Sequence, residues 1–137
     1  GSGFVAVEVS YREGVIEPPD LVEVGEPYYQ PFSVPVMRLV EMVAEKLRAL
    51  AQRDRPTDLA DLAMVLTAEE IDYGRARVLA GKKFELVRPG NHRARIEATI
   101  ARLGAQYDDA VAAVAPDAPS YEIASRVVLG RLASLLP

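Results

Sequence analysis

Apolar positions in this chain follow two periods. Near the start they alternate: Val5, Val7, Val9 and Tyr11 fall on one side, and Ala6, Glu8 and Ser10 on the other. Period two with valine enrichment predicts a half-buried strand. Residues 12–35 are then broken up by Pro18-Pro19, Gly25, Pro27, Pro31 and Pro35. Leu21, Val22 and Val24 suit a short second strand and Phe32 to Val36 a third, with the prolines holding that third one to an edge. Two or three such strands are marginal unless they lean on helices or on further strands.

After Val36 the period becomes helical. A first helix is expected over about 37–52, with Val36, Val40, Val43, Leu47 and Leu50 as its apolar stripe. A second starts near Pro56, whose fixed φ suits a first helical position, and buries Leu59, Leu62, Val65 and Leu66. Thr67 followed by Glu70 reads as a capping box, so a third helix is expected over about 68–80, stopping at Gly81. Asn91 caps a fourth, with Ile96, Ile100 and Leu103 inward and Gly104 as a break or a weak point before Tyr107, Val111 and Val114. Pro116 ends that stretch. A fifth opens near Pro119-Ser120 and carries Ile123, Val127, Val128, Leu132 and Leu135. The expected fold is α+β, mainly α: short strands over residues 1–36, then a helical domain of about five helices over 37–137.

At 137 residues the chain is about one domain, able to bury roughly two thirds of its unfolded surface. It has no cysteine and one histidine, His92, which excludes disulfides, thiolate metal sites and multi-histidine sites within the chain. No apolar run approaches the length of about 18 residues that crosses a bilayer, and nothing resembles a signal peptide. A membrane partner is not expected, and the cytoplasm is the default location. Gly1-Ser2-Gly3 has the look of an expression remnant, which leaves room for natural residues ahead of Phe4.

Net charge is −4, unevenly spread. Residues 1–45 hold eight acids against Arg12 and Arg38. Residues 75–102 hold Arg75, Arg77, Lys82, Lys83, Arg88, Arg93, Arg95 and Arg102 against Glu85 and Glu97. Such a basic stretch, with Arg75, Arg77, Lys82, Lys83, Arg93 and Arg95 as candidate contacts, is a nucleic-acid footprint or the ordinary solvated face of two helices.

Candidate chemistry gathers where the first two helices meet. At 100° per residue Lys46 lies about 40° from Leu50 and about 60° from Val43, on the flank of the apolar stripe. Arg53 stands seven residues on, nearly above it, and Arg55 follows in the turn. Two such cations could hold a phosphate chain as point charge plus fork, or Lys46 could simply lay its stem along the core. Asp58 and Asp61, three apart, share one helix face in a first turn where the helix dipole favours carboxylates. They either order Lys46, Arg53 and Arg55 across the corner or take part in handling a metal-bound nucleotide.

The run EMVAEKLRALAQRDRPTDLADL resembles the signature segment of the AbiEii/AbiGii-type nucleotidyltransferase toxins, close to E-x-x-A-E-K-L-x-A-L-x-x-R followed by R-D-x-x-D-L. Glu41, Ala44, Glu45, Lys46, Leu47, Ala49, Leu50, Arg53, Asp58, Asp61 and Leu62 carry the match. Thr57 stands where that pattern has an arginine, for which Arg55 is the spatial substitute. The resemblance implies a nucleotidyltransferase toxin of a type IV toxin–antitoxin (abortive infection) system. It implies NTP and Mg²⁺ as cofactors, tRNA as an acceptor and a cognate antitoxin as partner. It casts Lys46, Asp58, Asp61 and Glu8 as catalytic, with Lys46, Arg53 and Arg55 on the phosphates.

Two features of such enzymes are missing: a G-G/S turn outside the first residues and a D-x-D pair on the sheet. The chain therefore looks like the C-terminal portion of such an enzyme, its strands the end of the nucleotidyltransferase sheet. The expectation is that it is inactive without an N-terminal half. The alternative is a non-catalytic helical module that binds RNA or an antitoxin. Nucleophile elbows, P-loops and dinucleotide fingerprints are absent.

Overall fold

Local chemistry sets the helix limits. A computed structural model describes residues 20–24 and 32–137, with side chains from residue 37 onward. Its backbone divides into two units, 1–38 and 39–137. In the first, β1 (Asp20–Val24) and β2 (Phe32–Val36) pair antiparallel, Asp20 opposite Val36 and Val24 opposite Phe32. The strand expected over Val5 to Tyr11 lies outside the described residues.

The second unit is helical. Helix α1 (Leu39–Gln52) ends where Arg53 N–H closes a last bond on Ala49 O at 2.9 Å. Pro56 then forbids helical backbone at Arg55, which is extended at φ −125°, and itself opens α2 (Pro56–Ala68). A three-residue turn, Arg53 to Arg55, therefore separates the two helices.

The capping box expected at Thr67 does not form. The Thr67 hydroxyl donates back to Ala63 O (2.8 Å) and Met64 O (3.1 Å), inside α2. A threonine hydroxyl serves its own helix as readily as it caps the next. The cap is Asp72, whose carboxylate accepts from Arg75 N–H at 3.0 Å and starts α3 (Tyr73–Phe84). Helix α3 also runs through Gly81 instead of stopping there. Gly81 has no positive φ, and an added Cβ would meet only Pro137, at 3.8 Å. The turn that follows does need a glycine: Gly90 has φ 147°, and a Cβ there would collide with the Arg95 guanidinium.

Asn91 accepts from Ala94 N–H at 3.0 Å and caps α4 (His92–Leu103). At Gly104 the Tyr121 ring would lie 3.1 Å from a Cβ, and the helix breaks before the short α5 (Tyr107–Ala112). Ser120 caps α6 (Tyr121–Leu135). The described residues thus hold six helices, one more than the pattern predicts, because the stretch after Asn91 splits at Gly104.

Helix α1 is the hub. It packs on α2, α3 and α4, while α6 lies across α2, α3 and α4, and α5 rests on α2. Val43, Ala44, Leu47 and Leu50 of α1 are fully buried against Leu59, Leu62, Leu79, Ile96, Ile100 and Leu132. Its three neighbours cover most of the circumference of α1, so Glu41 and Arg48 are buried as well. Leu47→Ala is expected to lower unfolding free energy by about 2–5 kcal/mol, the range for a cavity at a closed core site. Urea denaturation would show it, and a loss under about 1 kcal/mol would mean that α1 is not the packing centre.

Candidate functional site

The corner between α1 and α2 is built around one carboxylate. Asp58, the third residue of α2, has a side chain 1% exposed. An ionised carboxylate so placed is costly unless paired. Its partners come from α1 and the first residue of the turn. Arg53 donates through Nε to Oδ2 at 2.9 Å and through Nη2 to Oδ1 at 3.2 Å, a two-pronged grip. Lys46 donates through Nζ to Oδ1 at 3.1 Å and lies 3.0 Å from Asp61 Oδ2. Helix periodicity explains the meeting: Lys46 and Arg53 are two turns apart on one flank of α1, and Asp58 and Asp61 one turn apart on α2.

Exposure grades outward from that carboxylate. The Lys46 side chain is 22% exposed, Arg53 41% and Asp61 43%. Arg55, the N-cap residue of α2, is exposed and makes no side-chain cap. The turn is tied from another side by Asp54, which accepts from Arg102 of α4 through both oxygens at 3.0 Å. Arg102 Nη2 also reaches Thr99 Oγ1 at 3.0 Å.

Titration follows from this geometry. Burial is the largest single influence on Asp58 and pushes its pKa up, but the Arg53 hydrogen bonds and the Lys46 charge together outweigh it and hold the group below its ordinary value near 3.8. Burial likewise pulls Lys46 down, yet Asp61 and Asp58 jointly raise it above its ordinary value near 10.5. The Arg102 hydrogen bond lowers Asp54.

Lys46, Arg53, Asp58 and Asp61 are thus brought together, as their spacing indicates. Glu8 lies outside the described residues. Of the basic stretch, Arg75, Arg77, Lys82 and Arg93 are exposed, with Arg93 bound to Glu97 at 2.9 Å. Arg95 is partly buried and donates to the Arg88 and Pro89 carbonyls, securing the turn before α4. Lys83 departs most from the surface role assigned to it: its side chain is 1% exposed, with Nζ 3.1 Å from Glu41 Oε1 and 2.8 Å from Glu45 Oε2. The basic run on α3 therefore has an inward member, which a charge count along the sequence cannot separate from its neighbours. Glu41 and Glu45 were read only as part of the signature, although their four-residue spacing places them on one face.

Among the described residues no group of three or more His, Cys, Asp or Glu converges as a metal site. Both Asp58 oxygens and Asp61 Oδ2 face cations. These residues do not fit a Mg²⁺ site. No helix among the described residues is long and apolar enough to cross a membrane.

The sequence matches the nucleotidyl transferase AbiEii toxin family, type IV toxin–antitoxin system, over residues 1–127, and the chain belongs to that family. No curated protein and no solved structure matches it. Membership makes it a relative of nucleotidyltransferases, which generally use an NTP and a divalent metal, and implies an antitoxin partner.

Asp58 is depressed, so its ion pairs contribute stability above the unfolded value near 3.8 and lose it as pH falls through the lower folded value. Lys46 is raised, so its share is present below 10.5 and is lost only as pH rises through the higher folded value. Asp58→Asn is therefore expected to cost about 1–3 kcal/mol at neutral pH and to flatten the acid limb of the stability curve. Urea midpoints measured across the acid range would test it. An acid limb of unchanged steepness would show that the corner carries no such load.

Proposed function

We propose that the α1–α2 corner is the phosphate-facing wall of an NTP-dependent nucleotide-transfer site. The observation that carries this reading is the buried Asp58, which holds Lys46 and Arg53 at one point from two sides. An ammonium has three N–H donors. Asp58 Oδ1 and Asp61 Oδ2 take two directions around Lys46 Nζ, and the outer one, held by Asp61, is the direction a phosphate oxygen takes over. Arg53 keeps part of its guanidinium at the surface beside it, and Arg55 adds an exposed cation at the rim. Phosphoryl chemistry rewards this kind of positioned charge, because catalysis there is mainly placement plus neutralisation.

Asp58 then acts as a positioning group. Asp61, half exposed, is the anion that an incoming phosphate displaces from Lys46. The metal carboxylates belong to residues other than these, and Glu8 remains a candidate among them. The acceptor is an RNA 3′ end, tRNA by family analogy, and the toxin's activity is held in check by an antitoxin. The setting is abortive infection, in the cytoplasm.

A second reading is favoured by one observation: Arg75, Arg77 and Lys82 stand exposed on α3 and Arg93 on α4. In it the helical unit is a module that grips RNA or an acidic antitoxin without chemistry of its own. Salt separates the two, because phosphate-backbone binding falls steeply with ionic strength.

Lys46→Ala is expected to weaken ATP binding by roughly 10- to 100-fold, the worth of one charge-assisted hydrogen bond, in calorimetric titration. Arg53→Ala is expected to follow the same direction. Unaltered affinity in Lys46→Ala overturns the reading. The 137 residues alone are expected to transfer no nucleotide, since no D-x-D pair fixes a metal; magnesium-dependent labelling of bulk tRNA from labelled NTP would overturn that part.

A further inference from the structure

Helix α1 carries charge on two sides. At 100° per residue, Glu45 and Glu41 lie about 100° and 140° around the axis from Lys46. They point to the face opposite the Val43, Leu47 and Leu50 stripe. In a surface helix that face would be wet. Here Glu41 is fully buried and Arg48 nearly so, and the α3 lysine Lys83 enters between the two glutamates. Glu45 Oε2 lies 2.8 Å from Lys83 Nζ but outside hydrogen-bonding alignment, so that contact is a close ion pair and not a directed bond. Glu45 Oε1 turns the other way and accepts from Arg48 Nε at 2.7 Å, while Arg48 also donates to Gln52.

A buried ammonium is expensive, and replacing such clusters by apolar side chains of equal volume is often neutral or stabilising. The phosphate-facing corner does not contain Lys83, since its partners Glu41 and Glu45 lie on the far side of α1 from Asp58. What the cluster does supply is orientation. Apolar packing tolerates sliding and small rotations, whereas a cation seated between two carboxylates one helical turn apart does not. Lys46 is held to α2 by Asp58, and Glu41 and Glu45 are held to α3 by Lys83, so α1 is clamped from two directions about 120° apart. Turning α1 by one residue position would break both clamps.

We propose that Lys83 is a positioning residue for Lys46: by seating Glu41 and Glu45 it fixes the rotation of α1, and thereby the point at which the Lys46 ammonium meets a phosphate. The inference rests on the reading of Lys46 as a phosphate contact, and deepens it. The conservative probe is Lys83→Met, which keeps the stem and removes the charge. Two readouts bear on it. The first is ATP affinity in a double-mutant cycle with Lys46→Ala. If Lys83 acts through Lys46, Lys83→Met weakens ATP binding about fivefold or more, and the double variant binds no worse than Lys46→Ala alone. Additive losses, or an affinity unchanged by Lys83→Met while Lys46→Ala weakens it, overturn the proposal.

The second readout needs no nucleotide. The Lys46 titration, followed through its ¹³C-labelled Cε resonance and assigned with Lys46→Arg, is expected to fall toward 10.5 in Lys83→Met as Lys46 loses its seat beside Asp58 and Asp61. An unchanged titration overturns the proposal. If Lys46→Ala itself leaves ATP binding intact, the phosphate reading fails, and the titration still decides whether Lys83 places Lys46. Should Lys83→Met not fold, Glu41→Gln, which leaves Lys83 paired with Glu45, carries both measurements with the same expected directions.

Discussion

One buried carboxylate organises the helical unit. Asp58 is closed off from water, so its charge must be answered at contact distance. The answer comes from the α1 side of the turn that precedes it, Lys46 well inside α1 and Arg53 just beyond its end. Each pairing constrains a different degree of freedom. The bidentate grip of Arg53 fixes where the chain leaves α1. The Lys46 contact fixes which flank of α1 faces α2. Pro56 completes the arrangement by making the turn short, because a helical Arg55 is sterically excluded before it. The corner is therefore set by two local constraints, Pro56 and the Arg53 grip, and by one longer-range contact, that of Lys46.

How much of this the sequence discloses depends on whether the signal is periodic. Lys46, Arg53, Asp58 and Asp61 were legible because helix spacing alone brings them together, whatever the rest of the chain does. The apolar stripe of α1 was legible for the same reason. Competing local interactions were not. Thr67 and Asp72 both offer a cap, and the choice between them turns on whether the Thr67 hydroxyl folds back onto its own helix, which it does at the Ala63 and Met64 carbonyls. Gly81 looks like a stop, yet helix propensity costs a glycine only about 1 kcal/mol, and burial of Phe84 and Lys83 beyond it carries the helix on.

Lys83 marks a second limit. In the sequence it is one of eight basic residues in a short region, and charge density points it at solvent. Only the packing of α3 against α1 reveals that its carboxylate partners, Glu41 and Glu45, sit on a wet-looking side of α1 that α3 covers. An amphipathic pattern reports the polarity of each face and not its exposure. A helix surrounded by three others can bury a polar face, provided the charges are matched inside. That is the condition that the Lys83, Glu41, Glu45 and Arg48 cluster meets.

The neutrality of the corner also bears on how it meets a ligand. Lys46 and Arg53 are balanced by Asp58 and Asp61, so the four groups together carry no net charge at neutral pH. Such a cluster exerts little pull on anions beyond about 10 Å, where salt already screens charge. On the proposed reading, attraction would come only at contact, once a phosphate oxygen replaces the exposed Asp61 carboxylate while the buried Asp58 stays behind to hold the ammonium. A corner of this kind discriminates by geometry: an anion delivered to the right point by other parts of a site exchanges one carboxylate for one phosphate oxygen, and a stray anion gains almost nothing. On the same reading, the exposed cations on α3 and α4 would work the other way, by long-range field without selectivity. On the proposed reading, the exposed cations and the neutral corner would suit successive tasks, gathering a polyanion and then fixing one of its phosphates.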